Sequence, residues 1–391
     1  MSYKLTLLFR LGKSYQTLGN ASRLNMAKYL AAKFDSTILT NQAESIQNMF
    51  PDQKIISIKS SIKGKVPLFN EYRYWKYLAK KINSIPADGV FIFLDAPVAI
   101  WIRKPVFQYI HQYGKRNVSD NSPIIEFFKS QIQQIKHRYF LKGFKKSSQN
   151  FVVSSFLMDY FKNEGLENLE LTPHAIELSK FQNPLINDKH KKLSDLRNKG
   201  WFIMSYTGWV TENRGFQLMM DTIKKIAKHN SNVMLVIAGA DSNFSNRISD
   251  YQEKYQLQNN IINYGIVDVS IIPGILHYSN VALSFWEADV PGFQLAPPQK
   301  IFEYFAAGLP VICNKVQTHS MFVENKKTGF VLDMDSTAVA DAVLELINNK
   351  ELYRQMCTNV SNEAKKYDMD VVYHKMVEII NEKINELQIL P

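Results

Sequence analysis

At 391 residues, with 46% apolar and 21% charged side chains, the chain exceeds one ordinary core, and it lacks the polar or repetitive tracts of a disordered protein. Its two cysteines, Cys313 and Cys357, are far apart and lack metal-type spacing, which excludes a disulfide framework and a cysteine metal site and points to a reducing cytoplasm. The net charge of +11 is uneven: residues 101–150 carry ten basic side chains against Asp120 and Glu126.

Short apolar runs alternate with helical patterns from the start, as in a parallel α/β sheet. MSYKLTLLFR leads straight into a strand, so no cleavable signal is expected, and the most apolar run, residues 89–102, is broken by Asp95 and Pro97, so no membrane span is expected either. Strands are expected at 5–9, 36–40, 54–58, 89–94, 106–110 and 150–154, with helices such as 21–34 and 72–82 between them. Gly12-Lys13-Ser14 imitates the tail of a phosphate-binding P-loop, but Leu7 stands where the first glycine belongs, so it reads as the turn after the first strand. His111 closes the strand 106–110, a place for a structural or a functional histidine.

Within the basic stretch, Ile124, Phe128, Ile132, Ile135 and Tyr139 recur at helical spacing while Lys129, Lys136 and Arg138 fall elsewhere on the wheel. Two readings stand: a helix lying on an anionic membrane surface or an acidic acceptor, or a packed helix with a solvated basic face. Nucleic acid is not expected, since no reader motif accompanies the charge.

From Leu171 the pattern turns polar, and a first domain is read at 1–180 with a linker at 181–199. The alternation then restarts, giving a second domain at 200–367 with strands at 201–206, 233–239, 261–265, 281–285, 310–314 and 329–333. Helices are expected at 215–229, 244–255 and 337–348, and a last one at 371–387, within 368–391, that crosses back to the first domain. Two such sheets predict a cleft at the carboxyl ends of their strands.

The segment PPQKIFEYFAAGLPVI, residues 297–312, carries the chemistry. Pro297 and Pro298 suit a helix start and Gly308 its end, so a helix of about ten residues is predicted. Lys300 and Glu303 share one face, while Ile301, Phe302 and Phe305 turn to the core. A lysine in a first turn attracts phosphate, and a carboxylate one turn on can accept two ribose hydroxyls, which together match a nucleoside diphosphate. An ordinary amphipathic helix with an exposed Lys–Glu pair is the other reading.

Pro298, Lys300, Glu303, Tyr304, Gly308, Pro310, Val311 and Ile312 together resemble the donor-binding segment of GT-B glycosyltransferases of family 4, the glycosyl transferases group 1; ENKKTGFVLD at 324–333 resembles that family's next element. The resemblance covers residues 200–365 well and the first half loosely. It implies an α/β GT-B fold of two Rossmann-like domains facing a central cleft. It also implies transfer from a nucleotide sugar, retaining, with no metal or other cofactor, to a glycan or lipid-linked acceptor. By the same resemblance Glu303 holds the ribose; the backbone around Gly265 and Ile266 is expected to frame the base. Gly208, Arg214 and Gly215 belong to the family's diphosphate-clamping loop, with Arg214 at its lysine position and Trp209 where the family has arginine. Leu295 stands where an acidic residue is usual, which directs attention to Glu287 and Asp289, and Gln317-Thr318-His319 replaces a Gly-Gly pair. His111 matches, by position, a histidine that faces the transferred sugar.

The D-x-D strings at 333–335 and 368–370 read as caps or turns, and no hydrolase or metalloprotease motif occurs. The expected protein is cytoplasmic, peripheral to the inner membrane face through residues 101–150. The losses at Trp209, Leu295 and Gly-Gly keep open a binding or scaffold protein of the same fold without catalysis.

Overall fold

The computed structural model describes residues 3–11, 18–62, 67–111 and 123–389; Gly12-Lys13-Ser14, Lys115 and Arg116 lie outside them. The chain divides into two compact units, one built from Met1–Tyr15, Ser22–Pro173 and Asp370–Pro391, the other from Gln16–Ala21 and His174–Met369.

The first unit holds β1 (Lys4–Leu8), β2 (Asp35–Thr40), β3 (Lys54–Ser57), β4 (Gly89–Ile92), β5 (Val106–Ile110), β6 (Gln149–Val152) and β7 (Leu169–Leu171). They form one parallel sheet in the order β3-β2-β1-β4-β5-β6-β7. β4, β5 and β6 are buried along their whole length, because helices cover both faces of a parallel sheet. The helix Pro123–Lys146 seats Tyr139 and Phe140 against Trp75 and Phe144 against Phe161. Its backbone comes so close to the 3-10 helix Ala96–Trp101 that a Cβ on Gly143 would fall 2.1 Å from the Ala96 carbonyl oxygen. The final helix, Met369–Ile389, buries Tyr373, Met376, Ile380 and Ile384, and the Tyr373 ring meets Tyr29 edge-on at 5.4 Å.

The second unit holds β8 (Phe202–Thr207), β9 (Val233–Ala238), β10 (Ile261–Asn263), β11 (Val281–Ser284), β12 (Val311–Asn314) and β13 (Gly329–Leu332). Their order, β10-β9-β8-β11-β12-β13, reverses between β8 and β11, the doubly wound arrangement of the α/β GT-B expectation. Alternate residues feed opposite cores: Met204, Leu235 and Leu283 pack on one face, Ile203, Val236 and Ala282 on the other.

Residues 174–199, expected to include a linker, are instead built into this unit. Short helices at Leu178–Gln182 and Lys191–Asn198 bury Leu178, Phe181 and Leu193. Buried His190 reaches the Ile271 carbonyl at 3.0 Å, and a Cβ on Gly274 would meet its ring at 2.4 Å. The polar look of the stretch comes from the exposed sides of these helices.

Candidate functional site

In a doubly wound sheet, ligands bind at the carboxyl ends of the strands where the order reverses. Here that point lies between Thr207, closing β8, and Ser284, closing β11. The helix Gln299–Ala306 is fastened to both strands by one side chain. Tyr304 Oη accepts from the Thr207 N–H at 3.0 Å and donates to the Leu283 carbonyl at 3.2 Å. Pro298 is the N-cap residue, and beyond the C-cap Gly308 takes φ +73°, with Leu309 N–H bonding back to the Tyr304 carbonyl at 3.0 Å.

All residues from Lys300 to Ala306 are buried, with Lys300 and Glu303 each only 8% exposed. This rules out the reading of an exposed Lys–Glu pair on an ordinary surface helix. Lys300 Nζ lies 3.5 Å from the centroid of the Tyr206 ring. A Cβ on Gly208, whose φ is +121°, would come within 3.1 Å of the same nitrogen. Burial, then the nearby Arg214 charge, holds the Lys300 ammonium well below its usual range, with Glu303 opposing. Burial likewise pushes the Glu303 carboxyl up to about 7, with Lys300 drawing it back.

Arg214 ends a single 3-10 turn, Glu212–Arg214, that Gly215 closes at φ +75° before the helix Phe216–Ala227. A side chain at Gly215 would strike Phe285 Cβ at 2.6 Å. The turn is anchored to the β11 loop, because the Glu287 N–H donates to the Asn213 carbonyl at 3.0 Å. Arg214 and Lys300 are thus two basic side chains in mutual electrostatic reach at one strand end, an arrangement that an arriving anion would relieve. Trp209, in the place of the expected arginine, is 41% exposed, and its carbonyl accepts from Tyr206 Oη at 2.8 Å.

Glycines line the neighbouring strand ends. Gly208 N–H donates to the Ala238 carbonyl at 2.8 Å and Gly239 N–H to the Gly265 carbonyl at 2.7 Å. A Cβ on Gly239 would fall 2.1 Å from the Gly208 carbonyl oxygen, so the backbone shelf requires glycine there. Ile266 follows as an exposed apolar side chain.

The second unit therefore gathers Gly208, Arg214, Gly215, Gly265, Ile266, Glu287, Pro298, Lys300 and Glu303 at the carboxyl ends of the strands of one sheet. His111 belongs to the first unit, directly after β5, its ring stacked on buried Tyr109 at 5.9 Å. Sequence reasoning assigned no role to Tyr206, Gly239 or Trp286 and noted His319 only as part of the stretch replacing a Gly-Gly pair; the apolar run ending in Ala-Gly at 238–239 held a signal for Gly239. The first D-x-D string is a cap: Asp335 accepts from the Thr337 N–H at 2.9 Å and Asp333 pairs with Lys315 at 2.9 Å. Among the described residues no three His, Cys, Asp or Glu side chains cluster as a metal site.

Residues 187–366 match the family model of the glycosyl transferases group 1. Over 219 residues the chain is 25% identical to the capsular polysaccharide biosynthesis glycosyltransferase CapM of Staphylococcus aureus, a match spanning 54% of each protein, about half the length of that relative. A glycosyltransferase from Rickettsia africae superposes with a TM-score of 0.71 at 18% identity, over 98% of this chain and 99% of that one. HepE of Anabaena, solved with UDP, superposes with a TM-score of 0.72 at 13% identity, over 97% of this chain and 100% of its own. The chain has the two-domain α/β fold of these GT-B glycosyltransferases, and its residues 187–366 are similar to the glycosyl transferases group 1.

Proposed function

We propose that this protein transfers a glycosyl unit from a nucleoside-diphosphate sugar to a glycan or lipid-linked acceptor, with retention and without a metal ion. One observation carries the reading: Arg214 and Lys300 converge at the switch point with Glu303 one turn along the same helix. The departing diphosphate gains negative charge as the glycosidic bond breaks, and two fixed cations in a dehydrated site stabilise that charge without reorganising. Glu303, once ionised, accepts the ribose hydroxyls; Gly265 and Ile266 frame the base, and Glu287 orients the donor. His111 is assigned to the transferred sugar. HepE, solved with UDP and with UDP-glucose, and the capsular polysaccharide enzyme support donor and product classes of this kind.

An anionic membrane surface is the proposed setting. The helix Pro123–Lys146 leaves Ile132 and Ile135 each 39% exposed, with Arg138 and Lys142 exposed on the same helix. Among the described residues no helix is long and apolar enough to cross a membrane. Sedimentation with phosphatidylglycerol vesicles should be salt-sensitive, and equal recovery with neutral vesicles would return this face to solvent.

A panel of nucleotide sugars tests the reading. Turnover or slow donor hydrolysis is expected, and Arg214→Ala should lower the rate on the order of 10²- to 10³-fold. Binding without turnover would favour the scaffold reading, and an unchanged Arg214→Ala rate would remove that residue from the mechanism.

A further inference from the structure

The three residues that replace the family's Gly-Gly, Gln317-Thr318-His319, lie in a short helix, Gln317–Ser320, at the end of β12. His319 is fully buried, and its Nε2 lies 2.9 Å from the hydroxyl of Ser284, the last residue of β11. Its ring stands 5.3 Å from that of Trp286, two residues further on. The Trp286 backbone is pinned on both sides: its amide N–H donates to Asn314 Oδ1 at 3.0 Å, and Asn314 Nδ2 donates to its carbonyl at 2.7 Å. The indole lies face to face on Phe293, ring centres 4.1 Å apart and planes at 15°. Phe293 in turn carries the Arg214 guanidinium 5.7 Å from its ring centre.

Two polar atoms in this cluster are buried without a hydrogen-bond partner in the protein: Trp286 Nε1 and His319 Nδ1. Leaving such a group unpaired is costly, and here two occur in neighbouring rings. Burial, followed by the Lys300 charge, lowers the His319 imidazole to about 3, so it is neutral and close to the phosphate-attracting lysine. An indole N–H only donates, whereas the free nitrogen of a neutral imidazole donates or accepts according to which nitrogen holds the proton. A hydroxyl answers both.

We propose that Trp286 and His319 form the sugar-recognising edge of the donor site, one hydroxyl of the transferred sugar accepting from Trp286 Nε1–H and pairing with His319 Nδ1. The inference rests on the donor-site reading above and adds to it the residues that select a hydroxylated sugar. A sugar with hydrogen or methyl at that position leaves both nitrogens unpaired and is rejected on that ground.

Calorimetry with UDP and GDP, and with UDP-glucose, UDP-N-acetylglucosamine and GDP-mannose, separates the two ideas. Trp286→Phe keeps a ring against Phe293 and removes only the N–H. It should weaken the nucleotide sugar about tenfold while leaving the free diphosphate within about twofold. His319→Gln keeps a polar atom toward Ser284 and loses the one at Nδ1, so it should follow Trp286→Phe. His319→Asn keeps a polar atom at the Nδ1 position and should stay near the wild type. A wild-type protein that binds neither diphosphate overturns the donor site and this inference with it. A wild-type protein that binds a diphosphate, combined with a Trp286→Phe effect that is nil or equal for diphosphate and nucleotide sugar, leaves the donor site standing and overturns the sugar edge.

Discussion

Lys300 Nζ stands over the ring of Tyr206, 3.5 Å from its centre, and Gly208 is the residue that leaves room for it. The lysine is dehydrated and faces a second cation, so in the ligand-free protein it destabilises, and with a diphosphate it binds. Lys300→Met should therefore weaken nucleoside-diphosphate binding by about 10- to 100-fold, the range for a charge-assisted hydrogen bond. The same change should raise Tm by about 2–4 °C through loss of a buried charge. Thermal shift and calorimetry together check this, and a lower Tm with intact binding would make Lys300 a structural cation.

Gly208→Ala strains the same contact from the other side. Its φ of +121° disfavours any side chain, and the added Cβ meets the lysine nitrogen at 3.1 Å. A loss of about 1–3 kcal/mol in urea unfolding is expected, together with weakened diphosphate binding, because the side chain that must yield is the one that binds.

Glu303 should oppose stability and affinity to one another as pH changes. Burial raises its carboxyl in the fold to about 7 from a usual 4.5, so the native state holds a proton that the unfolded chain releases. The stability this gives is fully present below about 4.5 and is lost as pH rises through about 7. Glu303→Gln should thus be more stable than the wild type at about pH 8, by about 1–3 kcal/mol, with the gap closing toward acid. Ribose hydroxyls need the ionised carboxylate, so the wild-type advantage in nucleotide binding should open as pH rises through the same range. Lys300 is common to both proteins, and the difference between them isolates the carboxyl. Parallel affinity curves at all pH values would sink the ribose assignment.

The strands were legible because each is a short apolar run between turn residues, and those expected lie within two residues of those found. β7 escaped: it has three residues, sits at the sheet edge and carries Glu170 at its centre. Leu178, Phe181 and Leu193 were equally hidden among lysines, and only their burial shows that 174–199 is not a free connection. At the site, the helix 299–306 announced itself through Pro298, Lys300, Glu303 and Gly308, which are local in the chain. Its depth did not. The ring beneath Lys300 comes from residue 206, and the cluster of Ser284, Trp286, Phe293 and His319 forms across separate strand ends, a proximity made by parallel pairing and invisible to spacing.

Gly143 offers a test confined to the first unit. The Ala96 carbonyl oxygen lies 2.1 Å from where a Cβ would be, and a carbonyl in a 3-10 turn cannot rotate away as a long side chain can. Gly143→Ala should cost about 1–3 kcal/mol by overpacking, despite alanine's better helix propensity. Urea unfolding followed by circular dichroism measures it, and a stabilised variant would mean that the helix Pro123–Lys146 packs less closely there.

Trp209 and Lys300 can be set against each other. The expected arginine of the clamp is replaced by an exposed tryptophan, while Lys300 supplies the second cation from the neighbouring helix. Trp209 takes part in the local backbone through its carbonyl, which accepts from Tyr206, so exchanging its side chain leaves that bond in place. If Lys300 does the work of the missing arginine, Trp209→Arg alone should change turnover by less than about tenfold, since the diphosphate already meets two cations. In a Lys300→Met background the same exchange should restore turnover by about tenfold or more, because it returns the lost charge to the other side of the leaving group. The four proteins form a double-mutant cycle, and the coupling between positions 209 and 300 is the quantity to read. Additive effects, with no rescue, would show that the two positions do not share the diphosphate.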